Sequence, residues 1–342
     1  MSTYTKNDFV VYQDGFQTGM VEALEQEVSV LNAGPRGIIV VTANTRGEYL
    51  ESAFFKNVDN LVTDRDPTST APVNATTLTQ DQIKDILCNY KVGPHKDSLD
   101  SFRKINENPT LMSVILGEMA GSQLAEKYLN GGLGALVAAM STEAGMVFDA
   151  TDPANAAKVD RQTISFQNLN RAMGLMGDKR SRLRMHVLPS PVHTALIGHQ
   201  IAEKLGEVSG SSVYGGAPGT FGLPAYVTDS PALSFEKDFS VAQDGSDMRL
   251  CHRHLVLTEG ALVLQQNDYF DLSSGIDRGG ENLLASYQAE GSYLVRVKGF
   301  SWDGANAPTD AQLAVPSNWE YAFESVKAGP GVMLIVADVE PE

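Results

Sequence analysis

The chain has 342 residues, 42% of them apolar, which is enough for two or three domains, or for one with large excursions, and for a full buried core; the composition excludes a disordered or collagen-like chain. With 42 acidic against 26 basic residues the net charge is −16, which favours solubility and excludes a protein that grips nucleic acid through its overall field. Cys88 and Cys251 match no metal spacing and are too few for a disulfide framework, as expected in a reducing compartment, although a single bridge between them stays open.

Met1 to Asn7 is polar and is not a secretory signal. No uninterrupted apolar stretch reaches the ~18 residues of a membrane helix, so no membrane span is expected. Phe16, Met20, Leu24, Val28 and Leu31 recur at helical spacing, with Glu22, Glu25 and Glu27 mostly off that stripe. This predicts an amphipathic helix stopped by Gly34-Pro35, in an arm that packs on its own body or on a neighbour. A short strand follows at Ile38 to Val41.

Asn44 to Val92 shows apolar–polar alternation on both sides of a polar centre running from Asp64 to Pro72. That pattern predicts a long two-stranded hairpin with a polar tip, with a short helix within Leu78 to Tyr90 as the alternative. A compact domain rarely tolerates so long an excursion without a job for it.

Asn108-Pro109 is a helix start. Leu111, Met112, Ile115, Met119, Leu124 and Leu129 follow it, and Asn130-Gly131-Gly132 reads as the stop. The helix so bounded has about 21 residues and is ~30 Å long, a spine by its length. Gly117 and Gly121 lie on it four apart, where they either admit another backbone or weaken the helix.

Beyond it, Ala154 to Gly174 reads as a polar helix, Leu183 to Leu188 as a strand, and Pro191 to Leu205 as a helix with Leu196, Ile201 and Leu205 inward. The Gly-rich Tyr214 to Gly222 is a loop. Ala225 to Thr228, Leu255 to Leu264, Ser292 to Lys298 and Gly331 to Val339 read as strands. Helices and strands do not alternate regularly, so the fold class is α+β, with one region inserted in another.

The chemistry-bearing patterns are sparse. In a strand, Cys251-His252-Arg253-His254 puts Cys251 and Arg253 on one face and the histidines on the other; two histidines do not hold zinc, and a polar strand surface is the simpler reading. His193 and His199, six apart on a helix, do not share a face. Gly132-Leu133-Gly134 follows a helix, so it is no phosphate cradle. Asp229-Ser230 reads as turn and cap chemistry, since no histidine pattern supplies a base. Arg180, Arg182 and Arg184 alternate as one basic strand face, suited to carboxylate partners more than to packaged nucleic acid. No catalytic, cofactor-binding or metal residue is predicted, and no enzyme activity.

Arg46 to Phe55 with Thr63 to Asp66, Val92-Gly93-Pro94 with Phe102 to Ile105, and Asn108 to Asn130 form one ordered series. Ala172 to Asp178, Arg184 to Ser190, Val192 to Leu196, Phe221 to Ser230 and Gly260-Ala261 form a second. Tyr293 to Trp302, Asn306 to Ala311 and Ser317 to Trp319 form a third. In order and spacing, from about Gly15 to Val336, they resemble the major capsid proteins of tailed bacteriophages, with the Hong Kong 97-like fold also used by herpesvirus shells.

The resemblance implies an N-terminal arm at 1–37, an extended E-loop region at 38–92 and a peripheral (P) domain at 93–185 with a spine helix at about 108–130. It further implies an axial (A) domain at 186–286 and closing P-domain strands at 287–342. It implies a structural subunit of an icosahedral head, self-assembling into pentamers and hexamers that enclose double-stranded DNA without reading its sequence, on an inner face with few basic groups. The partners it implies are copies of the same chain and a portal, with a decoration protein as a further candidate. A scaffolding protein is expected to be separate, because the family-like region begins almost at once. The place implied is the virion, with assembly in the host cytoplasm. Lys56 lies in the arm, but no cross-linking partners can be identified and no cross-link is predicted. The rival readings are an encapsulin-like nanocompartment with a cargo-peptide groove and an enzyme built around a concave pocket.

Overall fold

The computed structural model describes residues 15–26, 32, 36–42, 47–55, 80–98, 109–152, 162–198, 221–239, 245, 247–277, 281 and 284–338. Among them the stripe as far as Leu24 forms helix α1 (15–26), which buries Phe16, Met20 and Leu24 and exposes Glu22 and Glu25, while Val28, Leu31 and the expected stop at Gly34-Pro35 lie outside the described residues. It packs on its own molecule, against helix α2 (Pro109–Ser141).

Glycines set the approach of these two helices. A Cβ added to Gly117 would stand 2.1 Å from the backbone oxygen of Phe16, and one on Gly121 would stand 2.5 Å from that of Met20. Facing them, a Cβ on Gly19 would stand 2.3 Å from the backbone oxygen of Val114. Of the two readings of Gly117 and Gly121, the structure therefore selects close backbone approach.

The spine helix does not stop where the sequence suggested. It runs through Asn130-Gly131-Gly132 to Ser141, 33 residues in all, or ~50 Å. Every residue from Gly131 to Met140 is buried. Each mid-helix glycine costs about 1 kcal/mol, whereas burying Leu133, Leu136 and Met140 contributes about 1.5–3 kcal/mol apiece, so packing wins. The two glycines are also contact points. A Cβ on Gly131 would meet the Tyr293 hydroxyl at 2.5 Å, and one on Gly132 would meet Leu264 at 2.7 Å.

The first sheet comprises β1 (Ile38–Thr42), β2 (Tyr49–Phe55), β3 (Gln80–Ser98), β9 (Leu262–Asp277) and β10 (Leu284–Val297), in the order β1-β9-β10-β3-β2. β1 runs parallel to β9, and the other pairs are antiparallel. The hairpin is present: Tyr49 pairs with Ile86, and the ladder continues to Phe55 opposite Gln80. The helix alternative within Leu78 to Tyr90 is not what forms. Ile86, Cys88 and Tyr90 alternate into the core beside the spine, a period of two that only a strand supplies. The polar tip, residues 56–79, lies outside the described residues.

The second sheet has the order β4 (Val147–Asp149), β13 (Gly331–Ala337), β8 (Met248–Thr258), β5 (Leu183–Leu188), β6 (Ala225–Val227), with β7 (Ser234–Asp238) also paired to β8. The single strand expected over Leu255 to Leu264 is two strands in different sheets. Glu259-Gly260 makes a turn between them, with Gly260 at φ +65°. The spine covers one face of this sheet, where Met140 shares one buried core with Leu255, Leu257 and Met333. Helices α3 (Phe166–Gly174) and α4 (190–198) cover the other with Leu169, Met173, Val192 and Leu196. Of the expected helix Pro191 to Leu205, the part beyond 198 lies outside the described residues, as do residues 153–161 of the expected polar helix.

Each sheet takes strands from distant parts of the chain. β10 stays in the first sheet, whereas β13 joins the second, because its apolar run is buried on both faces and needs a central position. A small cap closes the spine: β11 (Phe300–Trp302) and β12 (Trp319–Tyr321) pair, Trp302 and Trp319 meet edge to face at 5.0 Å, and α5 (Asp310–Leu313) buries Leu313.

These packings separate two glycines of one helix. Gly134→Ala, whose new Cβ would meet only Ala314 at 3.8 Å, is expected to raise subunit stability by up to about 1 kcal/mol. Gly117→Ala is expected to lower it and to loosen α1, against the usual helix preference. Thermal melts of the two variants check this, and a stabilised Gly117→Ala would disprove the close approach.

Candidate assembly surfaces

The hairpin arm is the most exposed regular element. Every described residue from Gly47 to Ala53 is exposed, Tyr49 and Leu50 included. β2 is also an edge strand, so one row of its backbone groups faces away from the sheet. The root of the arm, by contrast, is fixed. Asp85 of β3, 1% exposed, pairs with Arg296 of β10 at 2.6 Å. The Lys84 backbone N–H donates to the Ser301 hydroxyl at 3.1 Å, its ammonium donates to Asn306, and that ammonium lies 4.4 Å over the Tyr49 ring. Asn306 in turn donates to the Glu48 carboxylate. Burial pushes the Asp85 carboxyl up from its ordinary value, and the guanidinium works against that.

Behind the root stands a buried tyrosine cluster. Tyr128 of the spine donates its hydroxyl to that of Tyr90 at 3.0 Å, and its ring lies 4.7 Å from Tyr293. The Tyr293 hydroxyl donates to Asp310, which also bridges Lys127 at 2.6 Å. Burial raises the titration of all three phenols, so they stay neutral donors.

The Cys251–His254 run alternates faces as expected, but it is not strand surface. Arg253 stacks 3.9 Å from the Phe235 ring and donates to the Ala232 carbonyl at 2.8 Å. His252 is buried, with Nδ1 at 3.0 Å from the Ser234 hydroxyl and Nε2 at 3.5 Å from the Asp338 carboxylate. His254 is wholly buried, and its Nε2 lies 2.8 Å from Nδ1 of His186 on β5. That distance requires one ring to donate and the other to accept, so neither ring shares the bond while both are protonated. Burial, and next the field of His186, hold His254 well below its ordinary value.

No group of three potential metal ligands gathers among the described residues. Cys88 and Cys251 are free and buried, and burial lifts the Cys88 thiol to about 12, too high for a reactive thiolate. His193 sits half-buried on α4, and His199 lies outside the described residues. Asp229 accepts from the Ser190 backbone N–H at 2.8 Å and from its hydroxyl at 2.9 Å, which is cap chemistry joining β6 to α4. Gly132-Leu133-Gly134 is mid-helix, with no loop to cradle phosphate.

The expected arginine strand face is corrected. Arg180 and Arg182 lie on a 3-10 turn, Gly177–Arg182, and only Arg184 is on β5. Arg180 donates to Asn170 at 2.7 Å and stacks near Phe221, while Arg182 and Arg184 are exposed with no carboxylate partner among the described residues. Sequence reasoning missed Asp85–Arg296 and His186–His254 altogether. Their members lie 211 and 68 residues apart, and no local pattern marks them.

Two measurements on unassembled subunits follow from these pairs. Arg296→Met strands the buried Asp85 carboxylate; because Arg296 is itself 38% exposed, the loss should fall below the ~3–5 kcal/mol of a fully buried broken pair. The folded-state pKa of Asp85 is raised, so its penalty is absent below the unfolded value of 3.8 and grows as pH rises. The deficit of Arg296→Met should therefore shrink as melts are moved from pH 8 toward pH 4, and a pH-independent deficit would contradict the pairing.

His254 has the opposite sign. Its folded pKa is depressed, so its contribution is present above the unfolded value of 6.5 and is lost as pH falls below it, by up to about 1.4 kcal/mol per pH unit. His254→Phe should flatten stability between pH 6.5 and pH 5. An unchanged slope in that variant counts against the buried pair as its source.

The sequence matches the family described as Major capsid protein 13-like over residues 8–333. No curated protein matches the chain. Among solved structures, the capsid of Ralstonia phage GP4 is similar at 10% identity, with 91% of this chain and 90% of that chain covered and a TM-score of 0.54. The capsid of Myoviridae phage XM1 is similar at 11% identity, with 91% and 92% covered and a TM-score of 0.50. A chain from Mycobacterium phage Adephagia is similar at 9% identity, with 89% of each chain covered and a TM-score of 0.50. At these identities the likeness speaks for the fold, the α+β Hong Kong 97-like fold of tailed-phage capsids, and the family speaks for the role. With nearly its whole length matched, the chain belongs to the Major capsid protein 13-like family and is a structural subunit of a phage shell.

Proposed function

We propose that this subunit assembles into pentamers and hexamers that close an icosahedral head around double-stranded DNA, and that the arm is its clasp. The observation that carries the reading is the ribbon itself. Strand β2 is exposed from Tyr49 to Ala53, yet its root is fixed by a buried ion pair and a hydrogen-bonded strap. A rigidly rooted ribbon with open faces and a free edge suits strand addition and charged contacts on an adjacent copy. Each contact can be modest, because closed symmetry repeats it many times.

On this reading the E-loop region is 38–92. The spine, the tryptophan cap and the β9–β10 part of the first sheet, on which the E-loop strands are built, make the peripheral domain, and the second sheet with α3 and α4 makes the axial domain that meets around symmetry centres. The axial domain, expected at 186–286, would on this reading take its strands from 147–258 and 331–337, which the strand order of the second sheet supports. A separate scaffolding protein, a portal and a decoration protein are the further partners this reading carries. Assembly would take place in the host cytoplasm. Catalysis has no place in it, and the dispersed cap and packing roles of the histidines, cysteines and Asp229 support that view. An encapsulin-like compartment would have the same architecture but would bind a cargo peptide inside.

Purified protein imaged by negative stain is expected to show closed particles in the megadalton range, and small oligomers alone would end the shell reading. Deleting Asp64 to Val73, within the segment outside the described residues, is expected to leave a folded subunit with an unchanged melt that forms no normal shells. Normal shells from that deletion would refute the clasp.

A further inference from the structure

Five turns from both sheets converge at one end of the second sheet: residues 36–37, 177–184, 258–261, 298–299 and 326–330. Their proximity is direct. The Gly260 backbone N–H donates to the Arg36 carbonyl at 2.7 Å, and that of Thr258 donates to the Pro330 carbonyl at 2.8 Å. Lys298 donates to the Thr258 hydroxyl at 3.2 Å and to the Glu259 carbonyl at 3.0 Å. Lys327 pairs with Asp178 at 2.6 Å.

On a chain of net charge −16 these turns collect cations. Arg36, Lys179, Arg180, Arg182, Arg184, Lys298 and Lys327 stand there against only two carboxylates, Asp178 and Glu259. The side chains of Arg36, Arg182 and Arg184 are exposed and have no hydrogen-bond or ion-pair partner among the described residues. Lys298 is held below its ordinary value by burial and next by the field of Arg182, so like charges are crowded here. Exposed cations without a carboxylate partner among the described residues, gathered on an acidic molecule, suit an external anion.

From this we infer that the five turns form a landing surface for the phosphate backbone of double-stranded DNA, without reading its bases. The inference rests on the shell reading above, which places DNA inside the particle, and it departs from the expectation of an inner face with few basic groups. An acidic patch on another copy is the competing anion. The chemistry favours phosphate, because a protein–protein contact is built around a buried apolar centre. No large apolar side chain of these five turns is exposed, and Phe221 lies only at the margin beside Arg180. A phosphate surface is charged and wet, and the duplex offers about one charge per 1.7 Å for unpaired arginines to meet. Guanidinium groups suit it through their paired donors.

The test uses the full-length chain as unassembled subunits with a short duplex of mixed sequence. Arg36→Gln, Arg182→Gln and Arg184→Gln are combined, since these side chains make no hydrogen bond or ion pair among the described residues and the fold should be kept, which a melt verifies. The triple variant is expected to bind about tenfold or more weakly, with the slope of log affinity against log salt flatter by about 2.7. Lys91→Gln with Lys96→Gln, exposed lysines of β3 away from these turns, should behave as the parent. A triple variant that binds DNA as the parent does overturns the inference. So does one that binds DNA less but no longer forms particles where the parent assembles without nucleic acid, because the turns would then hold a neighbouring copy. If the parent forms no particles at all, the shell reading fails, and the duplex titration still decides whether the turns bind phosphate.

Discussion

The last third of the spine helix is buried on every side, and the architecture depends on that burial. From Gly131 to Met140 every residue is buried, and one contiguous core joins this segment to Ile86, Leu264 and Tyr293 of the first sheet and to Leu255, Leu257 and Met333 of the second. A helix apolar all round has no surface face and must sit inside the molecule. Its composition follows from its position: Gly131 and Gly132 lie where Tyr293 and Leu264 press in, and Ala135, Ala138 and Ala139 keep the rest of the rod thin. The two sheets are thereby tied to one rigid element of about 50 Å, and what happens at the arm root or at the five basic turns is referred to that rod.

That burial also explains what could be read in the sequence and what could not. The α1 stripe, the helix start at Pro109, the strands at Leu183, Ala225 and Gly331, and the two-stranded arm were all legible, because each is carried by a local signal: a period, a capping pair or a short apolar run bounded by turn residues. The spine stop was misread because glycine is a local stop signal, and the packing that overrides it comes from strands more than a hundred residues away. Leu255 to Leu264 reads as one strand because both halves are apolar; only the positive φ at Gly260 marks the passage between sheets. The Cys251–His254 run looked like polar surface, since histidine is polar by composition, yet a neutral pair such as His186–His254 can be buried when each ring satisfies the other. Asp85–Arg296 is a long-range pairing, and a single sequence holds no record of it.

The same pair bears on how an exposed ribbon is tolerated. An open edge strand invites promiscuous pairing, and proteins blunt such edges with charge. β2 carries Glu51 on the ribbon, with Glu48 just before it and Lys84 opposite, so a partner must match charge as well as backbone. Fixing the root reduces the conformational entropy lost when the ribbon docks, which leaves more of the contact energy for association. Charge and rigidity are thus combined at the root of one hairpin.

Charge is arranged at the scale of the whole subunit in the same way. A net charge of −16 keeps copies apart while they accumulate, but it opposes both their association and the enclosure of a polyanion. Spreading the cations evenly would weaken this repulsion everywhere and direct nothing. Concentrating seven of them on the turns of one end leaves most of the surface repulsive and gives one place where an anion gains energy. Because turns tolerate substitution more readily than the strands they join, such a surface can be tuned without disturbing the buried rod. In a closed shell the gain at each copy need only be small, since it is repeated with every subunit, and weak contacts of this kind hold a long polyanion without fixing its position.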